Sequence, residues 1–210
     1  MATKKLIIFP FNGNGIEALD CINPNEFDFL GFIDDSPEKL AAKNKWPVYQ
    51  RDYLLQHPDA FVLAVPGSPA SYQKRAEYIS SLNIPAGRFA SIIHPSASIG
   101  KDVKIGSNCL IMAGVVITSN AQVGNHVCIL PNTVIHHDAV IKDYTLIGCN
   151  VAIAGGTIVG NNCYIGSGTN MMNGITIGNK TLIGLGSNVL ASVPENSKIA
   201  GNPARQIKAK

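Results

Sequence analysis

The chain has 210 residues, with 17 Lys or Arg against 14 Asp or Glu, and a formal net charge of +3. This small and scattered excess argues against a nucleic-acid partner and against a membrane-binding face. Charged residues make up only 15% of the chain while glycine occurs 20 times, which favours turn-rich β architecture and suggests some surface buried between chains.

Residues 1–11 run from basic to apolar, as a secretion signal does, but the apolar stretch is short and the turn-forming residues 12–15 follow at once. A buried first strand explains this start better. No stretch approaches the roughly 20 apolar residues that a membrane-spanning helix needs. The five cysteines are an odd number without CxxC spacing, which predicts reduced thiols and a cytoplasmic location.

Residues 1–86 alternate short apolar runs with longer amphipathic ones, the pattern of βαβ units around a small Rossmann-like parallel sheet. Tyr72, Ala76 and Ile79 fall at helical spacing, so we expect that face to pack on the sheet. The predicted strands are residues 6–9, 29–33, 61–65 and 89–93, and the predicted helices are residues 16–22, 51–56 and 70–82.

Residues 87–210 follow a different rule, a strict period of six. Starting at Ile93, every sixth residue as far as Val189 is Ile, Val or Met, and the residue four positions after each is small or β-branched. An α-helix cannot keep such a period, because 3.6 residues per turn would carry the apolar position around its axis. Seventeen hexads therefore predict a parallel β-helix of five to six coils, three hexads to a coil. The periodicity does not determine its handedness.

Polar residues break this pattern at one corner, where His136, His137 and Asp138 follow Ile135. Imidazole is the natural base near neutral pH, and a neighbouring carboxylate can fix its tautomer. By residue type alone, two exposed histidines that simply cap a turn are an equally good interpretation.

Two other classes of protein share the β-helix. Carbonic anhydrases of the γ type bind zinc through three histidines, two of them five residues apart, but His126, His136 and His137 do not offer that spacing. A non-catalytic scaffold would not require the histidine and aspartate at one corner.

Three features together identify a resemblance: residues 12–15 after the first strand, Asp34 and Asp35 after the second, and the hexapeptide array. The chain resembles the bacterial sugar acyltransferases of the PglD/NeuD type, which comprise UDP-4-amino-sugar N-acetyltransferases and sialic acid O-acetyltransferases. The resemblance implies a left-handed β-helix and a homotrimer. It further implies acetyl-CoA bound between neighbouring β-helices, a nucleotide sugar held by residues 1–86, and no metal.

The resemblance also assigns roles to residues. It makes His137 the general base and Asp138 its orienting partner, and it places the amide of Gly155 on the acetyl carbonyl. The residues assigned to acetyl-CoA are Gly155, Gly184, Gly201, Asn202, Pro203, Ala204 and Arg205. Lys198 and Lys208 are further candidates for its phosphates, and His136 has no assigned role.

For the nucleotide sugar, the resemblance implies Asn12, Gly13 and Asn14 in the first loop and Asp34 and Asp35 after the second strand. Pro10 and Asn14 depart from the family pattern, which has a glycine and a histidine at these positions. The turn at residues 65–68, which touches the same pocket in the family, differs as well.

The sequence thus predicts direct transfer from acetyl-CoA to the 4-amino group of a UDP-linked amino-deoxy sugar of the bacillosamine type, without a covalent acyl-enzyme. O-acetylation of sialic acid or of another sugar hydroxyl is the alternative. A γ-carbonic-anhydrase-like metalloenzyme is a minor alternative.

Overall fold

A computed structural model describes residues 3–207. The N-terminal strands are β1 (Lys4–Phe9), β2 (Phe27–Ile33), β3 (Val48–Tyr49) and β4 (Phe61–Ala64). The helices are α1 (Gly13–Ala18), α2 (Pro37–Ala41), α3 (Tyr53–Gln56) and α4 (Arg75–Ser80), and 3-10 turns cover Leu19–Cys21, Tyr72–Lys74 and Ala86–Arg88. The strands form one parallel sheet in the order β3-β2-β1-β4, which confirms the predicted α/β architecture.

One predicted strand of this sheet is wrong. Residue Phe89 forms only an isolated parallel bridge with Val62, and the following residues Ile92–Ile93 begin the β-helix. The fourth strand is instead β3, whose two residues are too short for an alternating pattern. Helix α2 is also absent from the predicted elements because five residues show no helical period, although Ser36 caps it and Pro37 occupies its first turn.

The β-helix follows the predicted hexads closely. Its strands up to Val189 have two residues each, and they pair with strands eighteen residues away, as Cys128 does with Leu146. Three hexads therefore form one coil, and the stacked coils make up a left-handed parallel β-helix. The strands are β5 (Ile92–Ile93), β6 (Ser98–Ile99), β7 (Lys104–Ile105), β8 (Leu110–Ile111), β9 (Val116–Ile117), β10 (Gln122–Val123), β11 (Cys128–Ile129), β12 (Val134–Ile135), β13 (Val140–Ile141), β14 (Leu146–Ile147), β15 (Ala152–Ile153), β16 (Ile158–Val159), β17 (Tyr164–Ile165), β18 (Asn170–Met171), β19 (Thr176–Ile177), β20 (Leu182–Ile183), β21 (Asn188–Val189), β22 (Lys198–Gly201) and β23 (Ala204–Gln206).

These strands form three faces of a prism. One sheet has eight strands and runs from β5 to β23, one has six and runs from β6 to β21, and one has five and runs from β7 to β19. The aliphatic column is buried from Ile111 onward, but Ile93 and Ile99 in the first coil are 41% and 38% exposed because no coil stacks beyond them. The last coil is two residues shorter, since Ile183 pairs with Ile199.

Buried threonines inside the prism satisfy their hydroxyls locally. The hydroxyl of Thr133 donates to the carbonyl of Gly148 at 2.7 Å, and that of Thr145 donates to the carbonyl of Gly160 at 2.8 Å. Each donor reaches the next coil, so a polar atom in the core costs little. This accounts for threonine at the predicted small or β-branched position.

The N-terminal sheet packs against the outer side of the eight-stranded sheet. Leu6 and Ile8 of β1 lie in one buried cluster with Leu110, Cys128 and Leu146 of that sheet. The alternate residues of β1 point the other way, toward α3 and α4. The parallel sheet is thereby covered on both sides.

The prediction that one face of the last helix packs on the sheet is only partly correct. Ile79 packs under the sheet as predicted. Tyr72, however, turns to the β-helix, where its hydroxyl donates to the carbonyl of Lys180 at 3.1 Å and its ring lies beside Tyr164. A helical period reports which residues share a face and not which neighbour covers it.

Ile147→Ala should lower the free energy of unfolding by about 2–5 kcal/mol, because Ile147 is 0% exposed in the middle of the prism and truncation leaves a cavity. Ile99→Ala is the matched control at the open first coil and should cost distinctly less. Urea denaturation measures both. Equal losses would show that the prism is not packed most tightly at its centre.

Candidate active site

His136, His137 and Asp138 form the corner between β12 and β13, where the six-stranded sheet meets the five-stranded sheet. Asp138 adopts a left-handed backbone with φ of +59°, which aspartate tolerates better than most residues. The side chains of His137 and Asp138 point outward and are 65% and 56% exposed. The predicted turn position is therefore the observed one.

Nδ1 of His137 and Oδ2 of Asp138 are 2.7 Å apart. Asn120, one coil earlier, donates from Nδ2 to the other oxygen of Asp138 at 3.1 Å. The hydrogen bond from His137 and then that from Asn120 hold the pKa of Asp138 below its usual range. With Nδ1–H donating to the carboxylate, the neutral ring carries its lone pair on Nε2.

Gly155 lies directly beneath this ring, one coil further along. A Cβ atom at Gly155 would be 2.6 Å from Nε2 of His137 and 2.7 Å from Cε1, so only glycine fits under the ring as it stands. Gly156 donates its N–H to the carbonyl of His137 at 3.0 Å. Within residues 3–207 the N–H of Gly155 has no hydrogen-bond partner.

The coil that follows the His137 corner carries small residues at the same edge of the prism. Ala154, Gly155 and Gly156 occupy the positions that His136, His137 and Asp138 fill one coil earlier, and the next coil presents Met172, 47% exposed, in the same column. The corner thus combines an imidazole, a carboxylate and an amide N–H that has no hydrogen-bond partner among residues 3–207. That set is suited to acyl transfer.

His136 is exposed, and its side chain makes no hydrogen bond to any part of the chain that the structure describes. Its N–H donates to the carbonyl of Ile153 as part of the ladder. The structure gives it no role in orienting His137.

The residues predicted to bind acetyl-CoA lie in three places. Gly155 is at the His137 corner. Gly184 follows β20, on the corner between the eight-stranded and six-stranded sheets, and a Cβ there would be 2.7 Å from that of Ala200, so packing of β22 already requires a small residue. Gly201, Asn202, Pro203, Ala204 and Arg205 belong to the antiparallel hairpin of β22 and β23 that closes the prism. Lys198 is exposed on β22, and Lys208 lies outside the described residues.

In the first N-terminal loop, Asn12 caps α1 by accepting from the N–H of Gly15 at 2.8 Å. Gly13 is exposed and Asn14 is half-buried. Asn12 also donates from Nδ2 to the carbonyl of Val65 at 3.4 Å, which ties this loop to the turn after β4.

Both predicted aspartates are already engaged. Asp34 is 5% exposed and accepts from the N–H of Phe11, the N–H of Ser36 and Nζ of Lys39, each within 2.9 Å. Asp35 forms a bidentate salt bridge with Arg51, in which both N–O distances are 2.6 Å. Through its hydrogen bond from Phe11, Asp34 directly holds the first N-terminal loop in place.

The structure does not bring the N-terminal loops and His137 together within one chain. The N-terminal sheet covers the eight-stranded face, and Gly67 in the turn after β4 lies against Leu146 of that face. His137 stands on the edge where the other two faces meet, which is the opposite edge of the prism.

Sequence reasoning missed Asn120, the second partner of Asp138. The signal was present, because an offset of eighteen residues places Asn120 above Asp138 at the same corner. It also missed Lys39, since the helix that carries it was not predicted.

The histidines considered for zinc do not converge. His126 lies at the corner between the five-stranded and eight-stranded sheets, where its ring stacks on Tyr144 with centroids 4.6 Å apart. Burial lowers the pKa of His126 to about 4. Among residues 3–207, no three His, Cys, Asp or Glu residues are grouped to hold a metal ion. No helix in this same stretch has both the length and the apolar character to cross a membrane.

Residues 89–199 match the family model described as the GMPPB C-terminal domain. No curated protein matches the chain. Among solved structures, the acetyltransferase domain of PglB from Neisseria gonorrhoeae in complex with acetyl coenzyme A has a TM-score of 0.84 at 20% identity, covering 98% of this chain and 100% of that one.

Two further structures are similar. A mutant of perosamine N-acetyltransferase from Caulobacter crescentus, in complex with CoA and GDP-perosamine, has a TM-score of 0.84 at 23% identity, covering 100% of this chain and 99% of that one. WeeI from Acinetobacter baumannii has a TM-score of 0.80 at 21% identity, covering 98% and 100%. The fold that the sequence resemblance implied is thereby confirmed over nearly the whole chain.

Asn120→Ala should raise the pKa of Asp138 toward the ordinary value, because it removes one of the two hydrogen bonds that stabilise the carboxylate. Carbon-detected NMR titration of the Asp138 carboxyl measures the change. Asn132→Ala is the matched control, since Asn132 has the same left-handed backbone at another corner. A shift of the same size in the control would contradict the assignment.

Proposed function

The chain belongs, through residues 89–199, to the GMPPB C-terminal domain family, and we propose that it is an acetyl-CoA-dependent sugar N-acetyltransferase. The observation that carries the proposal is the arrangement of His137, Asp138 and Gly155 at one corner, with Nε2 directly over the glycine. The likeness in fold to the acetyltransferase domain of PglB and to perosamine N-acetyltransferase supports the same reaction class.

In the proposed reaction the amine of the acceptor attacks the thioester carbonyl of acetyl-CoA. Nε2 of His137 takes the proton that the nitrogen loses, and Asp138 stabilises the imidazolium that results. The N–H of Gly155 donates to the carbonyl oxygen as negative charge builds on it. When the tetrahedral intermediate collapses, the C–S bond breaks and the CoA thiolate takes the proton back from His137.

Ala154, Gly155 and Gly156 carry no side chain larger than a methyl group, and we propose that the thioester lies along this coil beside the base. Met172 continues the same column as an exposed apolar side chain on which the chain of the pantetheine can lie. The hairpin from Gly201 to Arg205, at the far end of the prism, is the proposed contact for the nucleotide part of acetyl-CoA. Arg205 is exposed there and carries a charge suited to phosphate.

We propose residues 1–86 as the nucleotide-sugar domain and residues 87–210 as the acyltransferase domain. Asn12, Gly13 and Asn14 would contact the nucleotide sugar, while Asp34 acts mainly by holding this loop. The proposed acceptor is the 4-amino group of a UDP-linked amino-deoxy sugar of the bacillosamine type. The perosamine enzyme was crystallised with a GDP-linked sugar, so the nucleotide must be tested directly.

We propose that the working unit is a homotrimer whose sites are shared between chains. His137 and the N-terminal loops lie on opposite sides of one prism, so a second copy must bring them together. The outward residues of the faces that flank His137 include the half-buried Val116, Val134, Val140 and Ile158, an apolar surface suited to contact with a neighbouring prism.

We propose that the reaction takes place in the cytoplasm, as the cysteine content predicts. All five cysteines are free thiols, and four of them are buried. Burial raises the pKa of Cys128 to about 12, which supports a mechanism without a cysteine nucleophile.

Purified protein should release free CoA thiol from acetyl-CoA with one member of a panel of UDP-, GDP- and dTDP-linked amino sugars. His137→Ala should lower kcat by about 10²–10⁴-fold because the general base is lost. His136→Ala, the matched control at the same corner, should stay within about threefold of the wild type.

Each outcome of this assay is decisive. No thiol release with any amino sugar would overturn the N-acetyltransferase assignment, and release with free sialic acid alone would replace it with O-acetylation. A larger loss in His136→Ala than in His137→Ala would move the base to His136.

Mixing two inactive variants should restore activity if sites are shared. His137→Ala and an Asn12→Ala, Asn14→Ala double variant would each be inactive alone, whereas co-refolded mixtures would contain intact sites from the two chains. Sedimentation should give about three times the chain mass of 22.3 kDa. A monomer, or a mixture without activity, would contradict the shared site.

A further inference from the structure

Arg75 at the start of α4 is 0% exposed, and no carboxylate pairs with it in the described part of the chain. Its Nε donates to the carbonyl of Tyr144 at 2.9 Å, one terminal nitrogen donates to the carbonyl of His126 at 2.7 Å, and the other donates to the carbonyl of Pro66. Burial lowers the pKa of Arg75 to about 10, so the guanidinium is charged at neutral pH.

Burial of a guanidinium costs free energy unless its N–H groups find acceptors, and the carbonyls of Tyr144, His126 and Pro66 meet that need here. What the guanidinium provides is a rigid planar fork that fixes several acceptors in set directions. Arg75 therefore fixes the positions of these three carbonyls relative to one another.

The three carbonyls come from three separate segments. Pro66 belongs to the turn after β4, whereas His126 and Tyr144 are left-handed corner residues of two successive coils, with φ of +59° and +61°. Gly67 lies between the stem of Arg75 and Leu146, and a Cβ there would be 3.0 Å from both. The turn is therefore clamped onto the β-helix.

The clamped turn leads directly to the first N-terminal loop. Val65 donates its N–H to the carbonyl of Phe9 at 2.7 Å, and its own carbonyl accepts from Asn12. Asn12 in turn caps α1 through Gly15. Hydrogen bonds therefore link two corners of the prism, through Arg75 and the adjacent residues Val65 and Pro66, to the loop that we propose as the sugar-nucleotide site.

We infer that Arg75 is a positioning residue for the nucleotide sugar, which fixes the turn at residues 65–68 and the loop at residues 10–15 relative to the β-helix. The inference rests on the proposed function for the identity of the ligand. Whether Arg75 holds the turn and the loop in place can be measured without knowing the ligand.

Hydrogen–deuterium exchange of the full chain tests the positioning itself. In Arg75→Met, which keeps the length of the stem but has no donor, amides in residues 8–16 and 64–68 should exchange about tenfold faster or more, while amides of the central coils keep their protection. Tyr72→Phe is the control, because it removes a hydrogen bond to the β-helix at the same junction without touching the turn.

Unchanged exchange at the turn and loop in Arg75→Met would overturn the inference, and so would equal changes in Tyr72→Phe. If Arg75→Met does not fold, exchange at the turn and the loop can be compared with exchange in the central coils in Arg75→Lys and Gly67→Ala instead. The first keeps the charge but lacks the fork, and the second forces the turn away from Arg75 and Leu146.

Steady-state kinetics tests the consequence for substrate. In Arg75→Met or Arg75→Lys, the KM for the nucleotide sugar should rise about tenfold or more, while the KM for acetyl-CoA stays within about twofold. Equal increases in the KM for the nucleotide sugar and the KM for acetyl-CoA would overturn the inference. If the wild type acetylates no sugar at all, the proposed function fails, whereas the exchange experiment still decides whether Arg75 fixes the turn.

Discussion

Stacking of each interior aliphatic side chain on the one eighteen residues away is the contact on which the structure depends. A strand of two residues has too few hydrogen bonds to exist alone, and each one persists because the coils above and below supply both ladder partners and apolar cover. Ile129, Ile147 and Ile165 illustrate the result, since each is 0% exposed. The interior takes only two positions of each hexad, the aliphatic one and the small or β-branched one, and leaves the remaining positions free to carry chemistry.

The candidate site uses that freedom at a single corner. His137 and Asp138 replace the small or amide side chains that turns normally carry, while Gly155 one coil on keeps the space beneath the ring. The N-terminal sheet occupies a different face altogether, and Arg75 fixes its relation to the prism. The proposed base and the proposed substrate loop are therefore both held in place, on opposite sides, by elements that pack on one another.

The hexads made most of the β-helix predictable, because burial repeats at two positions and a register error would expose the entire column. They could not reveal that Ile93 and Ile99 remain exposed, since that depends on the absence of a coil beyond them. The pairing of Asp138 with His137 was visible in adjacent positions. Asn120 required the coil length, and Arg75 required knowledge of how the N-terminal sheet and the β-helix meet, which no local pattern contains.

Construction from equal coils also limits how such a chain can change in length. Removal or addition of eighteen residues joins like positions, so the column, the corners and the ladder continue unchanged. Any other number of residues must be expelled as a loop at a corner or must rotate every later side chain to the wrong face. The distance between the His137 corner and the closing hairpin can consequently change only in steps of one coil, and so can the length required of an acyl donor that spans them as proposed.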